Sequence, residues 1–403
     1  MKVKRAFLLT VFIFQYVIGF AAQRAVLVHN TYQEIEACKG KLQLKLIRIW
    51  GGDEEQDEQK FFKFPEDIAV DTKESIYICD QYNYCVKVFD YTGKYLRTIG
   101  RKGRGPGDLF GPSSIDFSPS GDLWVAEMGG RRIQCFSASG KSKTIFKHKG
   151  FIWWMRATSK NEIAVYCHQK TFDSRKLITI YNSKGELQRE IGVYHDKSRS
   201  PRAAEKLKFS IDNNDRFYAA NSWTPVLRKY SPDGNLLMVI TFETPFDIPV
   251  KIVLNDKGDE IQRLNDYEPR QARIKRKGDG VIITLKEDKG KKKKRYTACG
   301  PIDTDSRNNI YLVTPRRLLT DKESNATRVS GSFSTLDRSL VDFDVVENID
   351  HNQLLVFNPE GKVTAEGQLT TFCDGIYVVN NRIFILDGLL NQRILEYEMI
   401  FKK

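Results

Sequence analysis

Val88-Phe89-Asp90-Tyr91-Thr92-Gly93-Lys94 is the first copy of a phrase that returns four more times along the chain. In each copy an aromatic residue stands four positions before a glycine. Gly93, Gly140, Gly185 and Gly234 follow one another at intervals of 47, 45 and 49 residues. A repeat period of this size is typical of propellers and solenoids. The later copies are residues 135–141, 180–186, 229–235 and 356–362.

The phrase predicts a strand, a tight turn and a second strand. The glycine supplies the positive φ that such a turn requires, and the aromatic side chain fills the gap between neighbouring sheets. Short apolar runs precede the phrase, for example residues 68–71 and 76–79 before the first copy. Four short strands in each unit of roughly 45 residues predict a propeller blade. Helix-period segments are absent from the sequence, which excludes a helical solenoid.

The first and last repeats resemble a known family. Phe64-Pro65-Glu66-Asp67-Ile68-Ala69-Val70-Asp71, followed by residues 76–80 and 86–90, is similar to an NHL repeat. Residues 111–136 resemble a second copy, and residues 383–397 resemble the closing one. The resemblance covers roughly two-thirds of the 403 residues. It implies an all-β fold, a six-bladed β-propeller of the secreted bacterial, TolB-like type; seven blades is the alternative that the long interval between the fourth and fifth units leaves open.

The ends of the chain predict how the ring closes. The last unit stops soon after its third strand, at residues 397–399. Residues 45–52 resemble residues 95–100, which form an outer strand in the first unit. We therefore expect the N-terminal strand to complete the final blade, which removes an open edge. The propeller is expected to span residues 42–403.

Two insertions explain the long interval between Gly234 and Gly361. One spans about residues 244–295, between the fourth and fifth units, and contains a predicted hairpin at 273–285. It could instead be a degenerate extra blade. The other spans about residues 315–351, inside the fifth unit. In a four-stranded meander, blade crossings and second-to-third-strand loops emerge on one face, so both insertions are expected on the same face.

The first 22 residues read as an export signal. Lys2, Lys4 and Arg5 precede an apolar stretch at residues 6–20, and small residues follow it. Cleavage is expected near residues 21–23. An uncleaved anchor is the alternative, although the stretch is short for a span of about 20 residues. We expect an exported protein, periplasmic or extracellular, with no membrane span after removal of the signal.

Charge and cysteine content limit the partners and metals that the protein can bind. The formal net charge of +13 favours anionic partners. The seven cysteines include no zinc-type pair of CxxC spacings, so mostly buried thiols are expected. A single bridge between Cys79 and Cys85 is the alternative. None of the five histidines has metal-ligand spacing, and the sequence contains no Gly-x-Ser-x-Gly motif. The sequence therefore predicts no catalytic set.

Basic segments provide most of the candidate binding residues. The run Gly100–Gly107 lacks the Gly-Lys-Ser/Thr ending of a phosphate loop, so it is predicted to be a blade crossing. Residues 289–295 hold six basic residues in seven positions and are either a solvated loop tip or a contact for anionic surfaces. The candidate binding side chains are Arg101, Lys102, Arg104, Arg156, Lys291, Lys292, Lys293 and Lys294.

The mouth of the central channel is expected to hold a mixed set of side chains. Glu66, Ser113, Arg156 and Asp374 are the predicted mouth positions, and this set does not favour a metal. No cofactor is therefore expected, with Ca²⁺ as the alternative. The acidic residues that end the second strands are expected to fix the following loops, and the tryptophans near the mouth are expected to pack between blades. These residues are Asp80, Glu127, Asp387, Trp153, Trp154 and Trp223.

The sequence therefore favours a non-catalytic binding or scaffold propeller of the cell envelope or extracellular space. Its partner is predicted to be an unknown protein, a glycan or an anionic surface, with no nucleic acid, and the protein is expected to be a monomer. The alternative is a metal-dependent propeller hydrolase or lyase with its site in the central channel.

Overall fold

The fold is taken from a computed structural model. It describes residues 25–52, 55, 57–168, 176–193, 207–222, 224–245, 251–254, 260–263, 272–277, 280–286, 292–293, 299–317, 319–327, 330–332, 335–337, 341–346 and 349–402.

The chain begins with three elements that later blades recruit, namely β1 (Val26–Asn30), α1 (Tyr32–Glu36) and β2 (Leu42–Gly51). Four antiparallel blades follow, each numbered outward from the centre of the ring. Their strands are β3 (Pro65–Val70), β4 (Ile76–Asp80), β5 (Cys85–Phe89) and β6 (Tyr95–Ile99) in blade one; β7 (Pro112–Phe117), β8 (Leu123–Glu127), β9 (Arg132–Phe136) and β10 (Ser142–Lys147) in blade two; β11 (Phe151–Ala157), β12 (Ile163–His168), β13 (Lys176–Tyr181) and β14 (Leu187–Val193) in blade three; and β15 (Leu207–Ile211), β16 (Phe217–Asn221), β17 (Val226–Tyr230) and β18 (Leu236–Phe242) in blade four.

The last two blades are separated from blade four by an insertion and contain a second one. The strands of the first insertion are β19 (Lys251–Leu254), β20 (Glu260–Arg263), β21 (Ala272–Lys277), β22 (Gly280–Lys286) and β23 (Lys292–Lys293). Blade five has β24 (Ile302–Thr304), β25 (Ile310–Pro315), β28 (Asn352–Phe357) and β29 (Val363–Leu369), interrupted by α2 (Asp321–Ala326), β26 (Ser330–Ser332), β27 (Thr335–Asp337) and α3 (Phe343–Val346). Blade six has β30 (Gly375–Val379), β31 (Arg382–Asp387) and β32 (Arg393–Phe401).

The six sheets form a closed ring. Each inner strand contacts the inner strands of both neighbouring blades, and β3 of blade one contacts β30 of blade six. Inner strand β15 of blade four contacts β24 of blade five directly. The alternative of seven blades is therefore wrong, since the strands of the first insertion form separate two- and three-stranded sheets. The predicted hairpin within that insertion is present as the pair β21–β22.

The ring is closed by a strand from the N-terminal end of the chain. Strand β2 pairs antiparallel with β32, from Leu42 opposite Phe401 to Gly51 opposite Arg393. Near the end of β2, the Trp50 ring meets the Phe89 ring of blade one edge-on at 5.1 Å. The N-terminal strand therefore completes the sixth blade, as the sequence predicts.

The repeats do not predict the structure of the segment before β2. Strand β1 pairs in parallel with β18 and becomes a fifth strand of blade four. Helix α1 begins with a capping box between Thr31 and Glu34. Its Ile35 is buried in the apolar cluster between blades four and five. The N-terminal segment thus contacts blades four and five before it completes the sixth.

Among the described residues, six apolar clusters form the main core, one at each interface between adjacent blades. The repeated aromatic residue contributes to them, as expected: Phe89 lies between blades six and one, and Phe136 between blades one and two. The five repeated glycines all have φ between +82° and +91°, which explains why the turn needs glycine. Each repeat therefore supplies both a turn and part of an inter-blade core.

The two insertions leave the ring where the sequence places them. The first connects β18 to β24, a crossing between blades, and the second connects β25 to β28, a second-to-third-strand loop. We call the face that carries crossings and second-to-third-strand loops the mouth-side face. In the second insertion, Ala326 and Val346 pack against Leu390, which lies in the equivalent loop of blade six. Among the described residues no helix is long and apolar enough to span a membrane.

All seven cysteines are free thiols, and six of them are buried. Cys79 and Cys85, the pair considered for a bridge, are both unbonded to other sulfur atoms. Burial raises the pKa of the Cys85 thiol to about 12, so this thiol is an unreactive part of the core.

We expect N-terminal truncation to have a stepped effect. A chain that starts at residue 41 keeps β2, so it should remain monomeric with a lower melting temperature. A chain that starts at residue 53 leaves β32 with an unpaired edge and should aggregate. Thermal melting with size-exclusion chromatography checks this. If the two truncated chains behave alike, β2 does not close the ring.

Phe136 tests the inter-blade core. The substitution Phe136→Ala should lower the free energy of unfolding by about 3–5 kcal/mol, because the ring is fully buried between two blades. The matched control is Tyr91→Ala, whose ring is 59% exposed in the glycine turn of blade one, between β5 and β6. The control should change stability by less than about 0.5 kcal/mol. Urea unfolding measures both, and equal losses would contradict the assigned packing.

Candidate functional site

The inner strands line the central channel with polar side chains in register. Pairing with the second strands aligns six equivalent positions, one from each blade. We call them the inner layer: Ala69, Asp116, Arg156, Ser210, Asp303 and Tyr377. The residues two positions earlier on each strand form a second set, which is nearer the mouth-side face. We call this set the outer layer: Asp67, Ser114, Trp154, Lys208, Pro301 and Gly375.

Arg156 and Asp67 form a buried ion pair across the ring. The Arg156 guanidinium donates to both carboxylate oxygens of Asp67, at 2.8 and 3.2 Å. Ser114 Oγ donates to the same carboxylate at 2.6 Å and accepts from Arg156 at 3.3 Å. Because each charge is paired and hydrogen-bonded, the cost of burying it is offset. The pair joins blades one, two and three.

Inner-strand carboxylates of blades one, two and five each connect their blade to the next one. The amide of Ile115 donates to Asp67 at 3.0 Å, and that of Ala157 donates to Asp116 at 2.8 Å. The amide of Val378 donates to Asp303 at 2.7 Å. These carboxylates satisfy backbone groups of the adjacent inner strand. They therefore have a structural role at the interfaces between blades.

Lys208 crosses the outer layer. Its ammonium donates to the carbonyl of Asp374, which precedes blade six, although Lys208 itself belongs to blade four. It also lies 4.4 Å from the centre of the Trp154 ring, and the Arg156 guanidinium lies 4.1 Å from the same ring. Burial lowers the pKa of Lys208, and the charges of Glu66 and Asp374 oppose that shift. Lys208 thus closes part of the channel near its mouth.

The predicted set of mouth positions needs one correction. Register shifts in β3, β7 and β11 bulge out Glu66, Ser113 and Trp153, which are equivalent positions. Arg156 is three residues further along β11, in the inner layer, so Trp153 occupies the mouth position instead. Trp153 is 38% exposed, while Arg156 is buried against Asp67. An exposed anion-binding role for Arg156 therefore does not fit its surroundings.

Asp116 is a channel carboxyl whose pKa is raised. Burial raises its pKa to about 6, although the Arg156 charge and amide hydrogen bonds lower it. The residue is half-buried, so solvent reaches part of it. Within the described part of the chain, no group of three or more His, Cys, Asp or Glu side chains could hold a metal ion.

The crossing Gly100–Gly111 exposes three candidate binding residues on the mouth-side face. Arg101 donates to Asp108 at 3.0 Å and is otherwise solvated. Lys102 Nζ lies 4.9 Å from the centre of the Tyr84 ring, and the Arg104 guanidinium 4.4 Å from that of Phe110. The loop brings these three cations together, as the sequence suggests.

A buried network holds this crossing from below. Arg132 donates to the carbonyls of Arg104 and Asp108 at 2.5 and 2.7 Å, and to Glu127 at 2.7 Å. Glu127 in turn accepts from the Phe110 amide at 2.8 Å. Asp80 accepts in the same way from the Phe64 amide at 3.0 Å. These acidic residues therefore fix the crossing before the inner strand, whereas the prediction named the loop after the second strand. Asp80 also contacts that following loop, because the Asn83 amide donates to it at 2.7 Å.

The lysine run of the first insertion is only partly described. The backbone of Lys292 and Lys293 forms strand β23, which pairs with β22. Lys291, Lys294 and Trp223 lie outside the described residues. A contact between this run and an anionic surface therefore stays a prediction from the sequence.

The sequence matches the model of the DUF5128 family of six-bladed β-propellers over residues 61–262. The chain belongs to this family. The finer assignment to the NHL, TolB-like type stays a prediction. No curated protein matches the sequence significantly.

Solved structures show the same ring at low sequence identity. A Bacteroides fragilis protein whose name describes it as a candidate for export has a TM-score of 0.55 and 10% identity, over 94% of this chain and 100% of its own. A DUF4221 member from Bacteroides vulgatus has a TM-score of 0.55 and 11% identity, over 89% and 98%. Virginiamycin B lyase from Staphylococcus aureus has a TM-score of 0.45 and 10% identity, over 89% and 99%. Identities this low show a shared fold alone.

Asp116 makes stability depend on pH in a defined direction. Because its pKa is higher in the folded state than its ordinary value of 3.8, it contributes stability below about pH 4 that is lost as pH rises through about 6. Between pH 4 and pH 7 the wild type should therefore lose free energy of unfolding that Asp116→Asn keeps. The variant should gain on the order of 1–2 kcal/mol relative to wild type over this range. Urea unfolding at both values measures the change.

Asp90 provides a control of opposite sign. Hydrogen bonds from Thr92 lower the pKa of this exposed carboxyl, so it contributes stability that is lost as pH falls. Asp90→Asn should therefore become less stable relative to wild type as pH rises. If both variants change in the same direction, the assigned surroundings of Asp116 are wrong.

Proposed function

We propose that the protein is an exported, non-catalytic binding propeller that recognises its partner on the mouth-side face. The observation that carries this proposal is that charged side chains in the channel bind one another or the backbone of another blade. Arg156 is paired with Asp67, and Lys208 donates to the Asp374 carbonyl. Side chains used in this way hold blades together, whereas a catalytic centre needs groups that are directed at a substrate.

The mouth-side face has the properties that recognition requires. Both insertions leave the ring on it, and loops on a rigid scaffold commonly carry binding. Buried side chains such as Arg132 and Glu127 support the crossing Gly100–Gly111 from below. Loops that are already ordered lose less conformational entropy when a partner binds.

An anionic partner fits the charge of the chain and of this face. The formal net charge is +13, and Arg101, Lys102 and Arg104 are exposed together on one crossing. The basic run at residues 289–295 belongs to the first insertion, which leaves from the same face. Complementary charge of this kind speeds encounter and loses effect at high salt.

Export is supported by the sequence of residues 1–22 and agrees with the description of the Bacteroides fragilis neighbour. The positive start, the apolar stretch and the small residues form a signal pattern. We therefore place the binding activity in the periplasm or outside the cell.

Site-specific photo-cross-linking tests which face binds. A benzophenone amino acid at Tyr82, in a mouth-side loop, should capture a partner from an envelope extract. The matched control at Tyr91, which is exposed in a glycine turn on the opposite face, should capture none. Equal capture at both positions, or capture at neither, would contradict the proposal. Stoichiometric calcium or zinc in the purified protein would favour the metal-dependent hydrolase or lyase instead.

A further inference from the structure

Aromatic side chains follow one another across the mouth-side face of blades one to three. They come from crossings, second-to-third-strand loops and the mouth itself. We call this set the aromatic arc: Phe64, Tyr82, Tyr84, Phe110, Phe151 and Trp153. The arc lies entirely within described residues and does not depend on either insertion.

Four rings of the arc form two stacked pairs. Phe64 and Tyr82 stack with centroids 5.3 Å apart and planes 24° apart. Tyr84 and Phe110 stack at 5.7 Å and 26°. Stacking at these distances stabilises the arrangement of the loops that carry the rings. Both pairs involve the second-to-third-strand loop of blade one and join it to the crossings before β3 and before β7.

Exposed cations lie over these rings. Lys102 Nζ is 4.9 Å from the Tyr84 centroid, and the Arg104 guanidinium carbon is 4.4 Å from the Phe110 centroid. In the next blade, the Arg131 guanidinium carbon is 4.3 Å from the Phe151 centroid. Each ring attracts its cation through the negative face of the π-system. The rings therefore hold three long side chains in place without neutralising their charge.

Backbone hydrogen bonds join the loops that carry the arc to the crossings beside them. The amide of Gln81 donates to the Phe64 carbonyl at 2.9 Å, and that of Gly130 donates to the Phe110 carbonyl at 2.8 Å. The amide of His148 donates to the Arg131 carbonyl at 2.8 Å. The cations are thus spaced along a surface of fixed shape.

The nearby carboxylates are largely occupied beneath this surface. Glu127 is fully buried and bonded to Arg132. Asp80 is fully buried and accepts from the amides of Lys63 and Phe64. Asp108 pairs with Arg101 and accepts from the Gly105 amide. The positive charge presented to solvent is therefore concentrated at Lys102, Arg104 and Arg131, whereas carboxylates of Glu55, Glu58 and Glu66 lie near the Phe64–Tyr82 end of the arc.

We propose that the aromatic arc and its cations bind an anionic polysaccharide, a chain of sugars that bear carboxylate or sulfate groups. This inference rests on the proposed function, because it names the partner class of the same face. Arg and Lys donate charge-assisted hydrogen bonds to acidic groups. A polymer whose acidic groups recur can contact Lys102, Arg104 and Arg131 along one chain. Trp153, exposed at the mouth, offers a flat apolar face to a sugar ring.

The same contacts disfavour two other polyanions. Single-stranded nucleic acid binds by stacking bases on free ring faces, but Tyr84 and Phe110 already contact each other and a cation. Membrane surfaces are usually bound by cations together with exposed apolar side chains. Of the large apolar side chains that the described residues expose, only Trp153 lies at the mouth, while the others lie on outer strands, α1, glycine turns and the end of β32.

The test measures binding of the purified protein to immobilised heparin, a sulfated chain, and polygalacturonate, a carboxylated one. Neutral dextran, an oligo(dT) strand and phosphatidylglycerol vesicles are compared with them. The variant Lys102→Gln/Arg104→Gln/Arg131→Gln should bind the preferred acidic polysaccharide at least about tenfold more weakly than wild type at low salt, and high salt should abolish most of the difference.

The matched control removes the same charge from the opposite face. Lys94, Lys141 and Lys184 are exposed in three repeated glycine turns. The variant Lys94→Gln/Lys141→Gln/Lys184→Gln should bind within about twofold of wild type, because net charge has only a general effect on encounter. If both variants lost affinity equally, net charge alone would explain the weaker binding, and the proposal would be overturned.

The other outcomes are equally informative. Preferred binding of oligo(dT) or of vesicles would overturn the polysaccharide assignment. So would failure of wild type to bind either acidic polysaccharide. In all these cases capture at Tyr82 in the cross-linking experiment would still support recognition by the mouth-side face. Failure of the partner class and failure of the proposed function are therefore distinguishable.

Discussion

Closure of the ring is the constraint on which the rest of the structure depends. The apolar faces of each blade are covered only by its two neighbours, so the six clusters are complete only if blade six meets blade one. Strand β2 makes this possible, since it supplies the outer strand that blade six lacks and places Trp50 against Phe89. The same segment of chain first adds β1 to blade four and then buries Ile35 beside blade five. One short N-terminal segment thus contacts the three blades that are furthest along the chain.

The centre of the ring presents a different physical problem. Six inner strands converge there, and polar groups that lose water must find partners within the protein. Asp67, Asp116 and Asp303 each accept a hydrogen bond from an amide of the next blade. Burying these carboxylates is unfavourable by itself, and the raised pKa of Asp116 expresses that cost. The guanidinium of Arg156 compensates part of it through its pair with Asp67. The charges in the channel can therefore be understood from cohesion between blades.

The repeat determines what the sequence can predict. Glycines at regular intervals mark turns that need positive φ, and the apolar runs around them predict blades, so six blades and the closing strand follow from local patterns. Strand β1 and helix α1 escape prediction because they are short and belong to no repeat. Arg156 does not lie at the mouth because the third repeat matches the first two only loosely, so its alignment with them is displaced by three residues. The bulges of β3, β7 and β11 are equivalent and leave no distinct signal in the sequence. The aromatic arc escapes prediction for another reason. Tyr84 and Phe110, for example, meet only once the crossing has folded back over blade one.

The ring separates the residues that stabilise it from those available for recognition. At the end of the second strand, Asp80 and Glu127 occupy equivalent positions, and each binds the backbone amide of a residue just before its blade's inner strand. This support does not depend on which side chains the loop presents to solvent. Loops over blades one to three can therefore present cations held by aromatic rings, while the equivalent loop of blade five carries a long insertion. Because the supporting contacts lie below the surface, the loop side chains can differ between blades without loss of the inter-blade core. A surface built in this way can combine a fixed shape with exposed charge, and this combination is what selective binding of a flexible polyanion requires.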